Sequence, residues 1–228
     1  GYGPVPATRK LIILIRIPLD EIGVTQGAIC NLHNVYQCRS RDFYVNRKSL
    51  SIIGKVLQLN KKKRKVKLTI LGSGCPSVDL ERHGPSALID CGEGARILID
   101  CGSGVTQRLL EHGIHGSKID ALLLTHLHSD HIVDLFQLII SSWHQGRQGP
   151  QKIYGPRGTQ AYVDQLMKLW KPELEQRIAH EQRSSTKALE VEVAEIENGT
   201  ELKFSKLKVK AVEVLHQPVK HAFGFVFE

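Results

Sequence analysis

The chain is 228 residues long, 41% hydrophobic and 24% charged, enough apolar material for a real core in one large domain or one domain with an extension. No apolar run reaches the roughly 20 residues that cross a bilayer. The five cysteines (Cys30, Cys38, Cys75, Cys91 and Cys101) are odd in number and form no Cys-x-x-Cys pair, which indicates neither a disulfide framework nor a zinc knuckle and favours a reducing compartment. The net charge of +8 is concentrated in one segment: residues 39–67 hold eleven Lys/Arg against one acid.

Residues 1–65 form an N-terminal extension without a recognised chemical motif. Leu11–Leu19 and Ser49–Leu59 are candidate strands, the former interrupted by Arg16. The extension ends in Lys61, Lys62, Lys63, Arg64 and Lys65. This run is a candidate contact for a nucleic-acid backbone or a nuclear import signal, weighed against a plain solvated lead-in to the next strand. Val66–Leu71 alternates as a strand and breaks into Gly72-Ser-Gly-Cys-Pro76. Leu88-Ile-Asp-Cys-Gly92 recurs as Leu98-Ile-Asp-Cys-Gly102, a hairpin turning at 92–95. A helix over Val105–Glu111 follows the second copy.

The sharpest signal comes next. Leu122-Leu-Leu-Thr-His-Leu-His-Ser-Asp-His131 places His126, His128, Asp130 and His131 within six residues, at the end of an apolar run. On one helix they would spread round the cylinder at roughly 100° per residue. At a strand end the pair His126/His128 shares a face, and a bend into a helix brings Asp130 and His131 to the same point. Ile119–Thr125 is the predicted strand. Ile132–Trp143 is the predicted helix, with Ile132, Leu135, Phe136, Ile139 and Trp143 on one stripe. Three imidazoles with a carboxylate suit zinc, with iron or manganese as alternatives. Left unpaired in a core, the four would each carry a desolvation penalty.

Beyond the cluster, residues 144–150 form a loop, Lys152–Tyr154 a short strand and Thr159–Trp170 a helix. Glu173–Ser184 is a polar surface helix in which His180 is solvated. Leu189–Glu195, Glu201–Phe204 and Leu207–Val214 alternate as half-exposed antiparallel strands. The strand-helix alternation predicts a layered α/β fold. His216 directly follows the last of these strands and is the favoured further ligand, with His221 as the alternative.

Thr125-His-Leu-His-Ser-Asp-His131 resembles the metallo-β-lactamase superfamily of metal-dependent hydrolases, in its ribonuclease Z and arylsulfatase-like branch. Leu71-Gly-Ser-Gly-Cys-Pro76 and Arg82-His-Gly-Pro-Ser86 match the family's first hairpin, which borders the active site. The histidine and Gly-aromatic strand after Val214 resemble its third metal motif. The likeness covers residues 66–228 and implies a four-layer αββα sandwich, present here as its first half and the start of the second. It further implies two zinc ions, with His126, His128 and His216 on one and Asp130 and His131 on the other. Bound metal lowers the pKa of water to about 7, so a metal-bound hydroxide serves as nucleophile, oriented by the catalytic Asp130. Asp100 resembles a supporting aspartate near the metals, weighed against a helix cap or turn residue.

The bridging Gly-Asp turn and the distal histidine of such a site have no place before Glu228. The only methionine is Met167, so the sequence is expected to be a partial protein or a truncated product. The expected activity is that of a phosphodiesterase acting on tRNA 3′ ends, with a tRNA precursor as RNA partner. The substrate-binding arm typical of ribonuclease Z is not evident between Tyr154 and Gly199. This departure keeps in play another hydrolase of the same scaffold (arylsulfatase-like, thioesterase or lactonase) and an inactive protein that binds metal or RNA. A cytoplasmic location is expected, with nuclear or organellar sites as alternatives. No membrane partner is expected, and a homodimer is left open.

Overall fold

The computed structural model describes residues 13–15, 66–92, 95–183 and 185–228. The candidate strand Ser49–Leu59 and the basic run Lys61–Lys65 lie outside the described residues. Of Leu11–Leu19, only β1 (Ile13–Ile15) is described, paired in parallel with the last strand.

The strands β2 (Lys67–Gly72), β3 (Ser86–Asp90), β4 (Arg96–Ile99), β5 (Ala121–Leu123), β6 (Gln151–Gly155) and β7 (Val191–Glu195) form one sheet in chain order. The pairs β2/β3 and β3/β4 are antiparallel, and β4 to β7 run parallel. Each parallel step crosses over through helix: α1 (Val105–Glu111), then α2 (Ser129–Ile132) with α3 (Leu135–His144), then α4 (Thr159–Glu181). The second sheet has the order β1-β10-β9-β8, from β8 (Glu201–Phe204), β9 (Leu207–Glu213) and β10 (Phe223–Phe227).

Two cores result from the period-2 alternation of the central strands. Ile97 and Ile99 of β4 and Leu123 of β5 face the second sheet, packing with Val209, Ala211, Phe223, Phe225 and Phe227. Leu98, Leu122 and Ile153 point the other way, against Leu109, Leu135, Leu138, Ile139 and Trp143 of the helices. A strand buried on both faces has no polar side to show, which is why Ala121-Leu-Leu123 carries no alternation in its sequence. Phe225 is 1% exposed, a burial that stabilises by roughly 1.5–3 kcal/mol. The described residues therefore stack as helices, sheet and sheet.

Several boundaries differ from those expected. The strand predicted for 119–125 is confined to 121–123, because Gly116–Lys118 form a 3₁₀ turn just before it. The helix predicted from Ile132 begins earlier, at Ser129, and is interrupted between α2 and α3, so Asp130 and His131 sit inside its first turn. The two helices predicted for 159–170 and 173–184 are one, running through Pro172. The proline forfeits a backbone bond and would ordinarily end a helix. Here packing on both sides of it holds the element together. Trp170 stacks on Phe136 with ring centroids 4.3 Å apart, and Leu174 is buried beyond it. His180 is exposed, as expected.

Candidate metal centre

The parallel strands deliver the cluster to their carboxyl ends, where ligand sites of α/β sheets form. Beyond β5, Leu124 N–H still donates to Tyr154 O (2.8 Å), and the chain then turns away from the sheet. Thr125 O accepts from Phe223 N–H (2.8 Å), which draws the loop between β9 and β10 to this point. That loop closes on itself through Val214 N–H to Ala222 O and Val219 N–H to His216 O, both 2.8 Å. His216 is thereby carried to the cluster from a separate sheet.

His126, His128 and His216 each offer a ring nitrogen, and these nitrogens lie within 4.8 Å of one another, close enough to share an ion. The ring centroids are 4.7 Å apart for His126/His128, 4.6 Å for His126/His216 and 5.5 Å for His128/His216. His131 adjoins this trio at 4.0 Å from His126, and its Nε2 lies 3.8 Å from Asp130 Oδ2. His221 is drawn elsewhere, half exposed and 3.8 Å from Glu213.

Asp100, directly after β4 and fully buried, organises this arrangement. Its carboxylate accepts from Thr125 N–H (2.8 Å), from Thr125 Oγ1–H (2.8 Å to Oδ2) and from His131 Nδ1–H (2.8 Å). Thr125 Oγ1, having given its proton to Asp100, accepts from His126 Nδ1–H at 2.9 Å. The relay assigns His126 its tautomer, leaving the Nε2 lone pair available. That Nε2 is buried and has no hydrogen-bond partner within the protein. Ordinarily such an atom costs about 1–3 kcal/mol. A cation held with His128 and His216 would satisfy it, so the residues present fit a metal ion.

Burial, together with the repulsion of neighbouring His131, His216 and His128, lowers the His126 pKa to about 3. His216 is lowered by burial and then by His128 and His131, with Asp130 opposing. Both shifts favour the neutral imidazole, the form that ligates.

The glycines flanking the motif allow the close approach beneath it. A Cβ on Gly102 would lie 2.6 Å from Asp130 O and 2.5 Å from the Gly84 carbonyl carbon. A Cβ on Gly84 would lie 2.3 Å from Ser103 N. The repeat Asp90-Cys-Gly/Asp100-Cys-Gly is resolved by register. Asp90 pairs with Arg96 across the hairpin at 3.0 Å, whereas Asp100 sits at the end of β4 beside β5. Asp100 is neither a helix cap nor a solvent turn: Gly104 occupies the N-cap of α1. Sequence reasoning missed Thr125 as a participant; its place immediately before His126 was the available signal.

Residues 66–228 match the family described as anti-Pycsar protein Apyc1. The chain belongs to that family. This Apyc1-family chain is also 38% identical over 166 residues to ribonuclease Z of Mycolicibacterium gilvum, covering 72% of this chain and 57% of that protein. With ribonuclease Z of Mycobacterium marinum it shares 36% over 166 residues, covering 72% and 59%. The chain thus spans less than two thirds of the length of these curated relatives. Among solved structures, human tRNase Z, short form, superposes with a TM-score of 0.55 at 23% identity, covering 71% of this chain and 64% of that one. The metallo-β-lactamase fold protein YhfI from Bacillus subtilis superposes with a TM-score of 0.54 at 21% identity, covering 73% and 58%. The Apyc1-family chain therefore has the mixed α/β metallo-β-lactamase fold, and over the matched part it is similar in sequence to ribonuclease Z. The resemblance read from Thr125–His131 holds, and the family description adds a name that the motif does not carry.

Proposed function

We propose that the chain is part of a zinc-dependent phosphodiesterase that cleaves RNA, with the 3′ end of a tRNA precursor as substrate. The observation that carries the reading is the buried, unpartnered Nε2 of His126, held beside His128 and His216 by the Thr125–Asp100 relay. In this reading those three imidazoles bind one ion, and Asp130 and His131 contribute to a second. Zinc suits the set, since neutral imidazoles and carboxylates are its ordinary ligands. The ions supply an acidified water and positive charge beside a phosphoryl oxygen.

The chain's own residues do the rest. Asp130 orients the attacking water and takes its proton at a carboxylate oxygen. Asp100 fixes His131 through Nδ1 and His126 through Thr125, so that neither ring must be reordered during the reaction. The proposal divides the chain into a hydrolase region over 66–228 and an extension over 1–65. Lys61, Lys62, Lys63, Arg64 and Lys65 would contact the RNA backbone. The curated relatives named ribonuclease Z support this substrate class. No helix among the described residues is long and apolar enough to cross a membrane.

Zinc-loaded protein is expected to hydrolyse bis(p-nitrophenyl) phosphate and a tRNA precursor, to leave an aryl sulfate intact, and to lose both activities to a chelator. Turnover of the sulfate, a thioester or a lactone without diester cleavage would replace the reading with another hydrolase of this scaffold. Zinc bound tightly with no ester cleaved would make the chain a binding protein.

A further inference from the structure

One carboxylate near the centre has no part in the chemistry above. Asp134 occupies the N-cap position of α3, yet its side chain makes no capping bond to that helix. Its Oδ2 accepts instead from Thr106 N–H (3.1 Å) and Thr106 Oγ1–H (3.0 Å), in the first turn of α1. The N-cap residue of α1 is Gly104, which has no side chain to offer. A residue of one helix thus caps another, supplying the oxygen that an N-cap serine or aspartate would ordinarily provide.

The backbone repeats the connection. Asp134 N–H donates to Cys101 O (3.0 Å), and Cys101 N–H donates to His131 O (2.6 Å). Gly102 passes close under Asp130 O, as its missing Cβ shows. The loop 100–106 and the turn 130–134 are consequently joined at both ends. Asp100 meets His131 at one end, and Thr106 meets Asp134 at the other. The Asp100 carboxylate can set the His131 ring only while this loop keeps its place against the turn. The two backbone bonds between them fix separation. The Asp134 side chain ties the far end of the loop, where α1 begins, to the turn.

We propose that Asp134 is a positioning residue for His131, holding the loop that carries Asp100 in register with the turn that carries His131. Its relevance to catalysis rests on the reading of His131 as a ligand, but the positioning itself is a property of the metal-free protein. The two can therefore fail separately.

The test compares Asp134→Ala with Asp134→Asn in metal-free protein, reading the His131 Nδ1 proton by nuclear magnetic resonance. Bonded to the buried Asp100 carboxylate, that proton is expected to resonate downfield and exchange slowly in the natural chain. Asp134→Asn keeps an acceptor oxygen for Thr106 and is expected to preserve the signal. Asp134→Ala is expected to speed its exchange by about tenfold or abolish it, as a locally opened loop would. Zinc titration in parallel should show binding by His126, His128 and His216 retained in both variants. An unchanged His131 signal in Asp134→Ala overturns the proposal, whatever happens to thermal stability. So does equal loss in Asp134→Asn. Should Asp134→Ala fail to fold, Thr106→Val, which removes one of the two bonds, is read the same way: faster exchange supports the role and an unchanged signal overturns it. Absence of zinc binding in the natural chain would sink the proposed function and leave this result standing.

Discussion

Replacing Asp100 with alanine is expected to cost about 3–5 kcal/mol of stability, the range for breaking a buried polar pairing by removing one partner. The side chain is fully buried and accepts three bonds, from Thr125 N–H, Thr125 Oγ1–H and His131 Nδ1–H. Alanine would orphan all three, and each buried donor left alone costs about 1–3 kcal/mol, discounted where water reaches the cavity. The backbone adds to the loss, because Asp100 has a φ of 57°, a left-handed conformation that aspartate tolerates better than alanine. Metal binding should fall by about 10–100-fold as well, the usual effect of losing the partner that orients a ligating histidine. Asp100→Asn should be milder in stability, because an amide oxygen can still accept from Thr125. It should remain defective in metal binding if the amide N–H faces His131 and reverses its tautomer. Urea unfolding and zinc titration measure the two effects. A near-neutral Asp100→Ala would mean that the relay to His126 and His131 has no energetic role.

The second large effect is expected from His128→Ala. His128 is exposed and precedes the first helical turn, so its ring supports no core and its removal should leave the far-ultraviolet circular dichroism unchanged. If it ligates, the loss in metal affinity should exceed the roughly 10–100-fold that an outer orienting partner costs. His126→Ala is a less clean probe, since His126 is 5% exposed and its removal also opens a cavity beside Thr125. His221→Ala, on a half-exposed ring paired with Glu213, should retain full metal content. Metal content unchanged in His128→Ala, or lost in His221→Ala, would contradict the ligand assignment.

The centre was legible in the sequence because its residues are dense and chemically unusual. Four ligand-type side chains at the end of Leu122-Leu-Leu have few other uses, and the strand ending there is buried on both faces as its composition implies. His216 was within reach for a related reason, as it directly follows a clearly alternating strand. What sequence could not carry were choices made by tertiary contacts. The Asp90 and Asp100 repeats are locally alike; only the parallel pairing of β4 with β5 puts Asp100 beside Thr125. The helices expected over 159–170 and 173–184 are separated by a gap that holds Pro172, where local propensity favours a break, yet the Phe136–Trp170 stack and Leu174 carry α4 through it. The roles of Thr125 and Asp134 depend on bonds spanning 25 and 28 residues, invisible to any local pattern.

The most direct measurement of the central claim is zinc-edge X-ray absorption on the chain loaded with one equivalent of metal. The account predicts three imidazole nitrogens in the first coordination shell at about 2.0–2.1 Å, falling to two in His216→Ala. A shell with fewer than two imidazoles, or one containing sulfur, would contradict it.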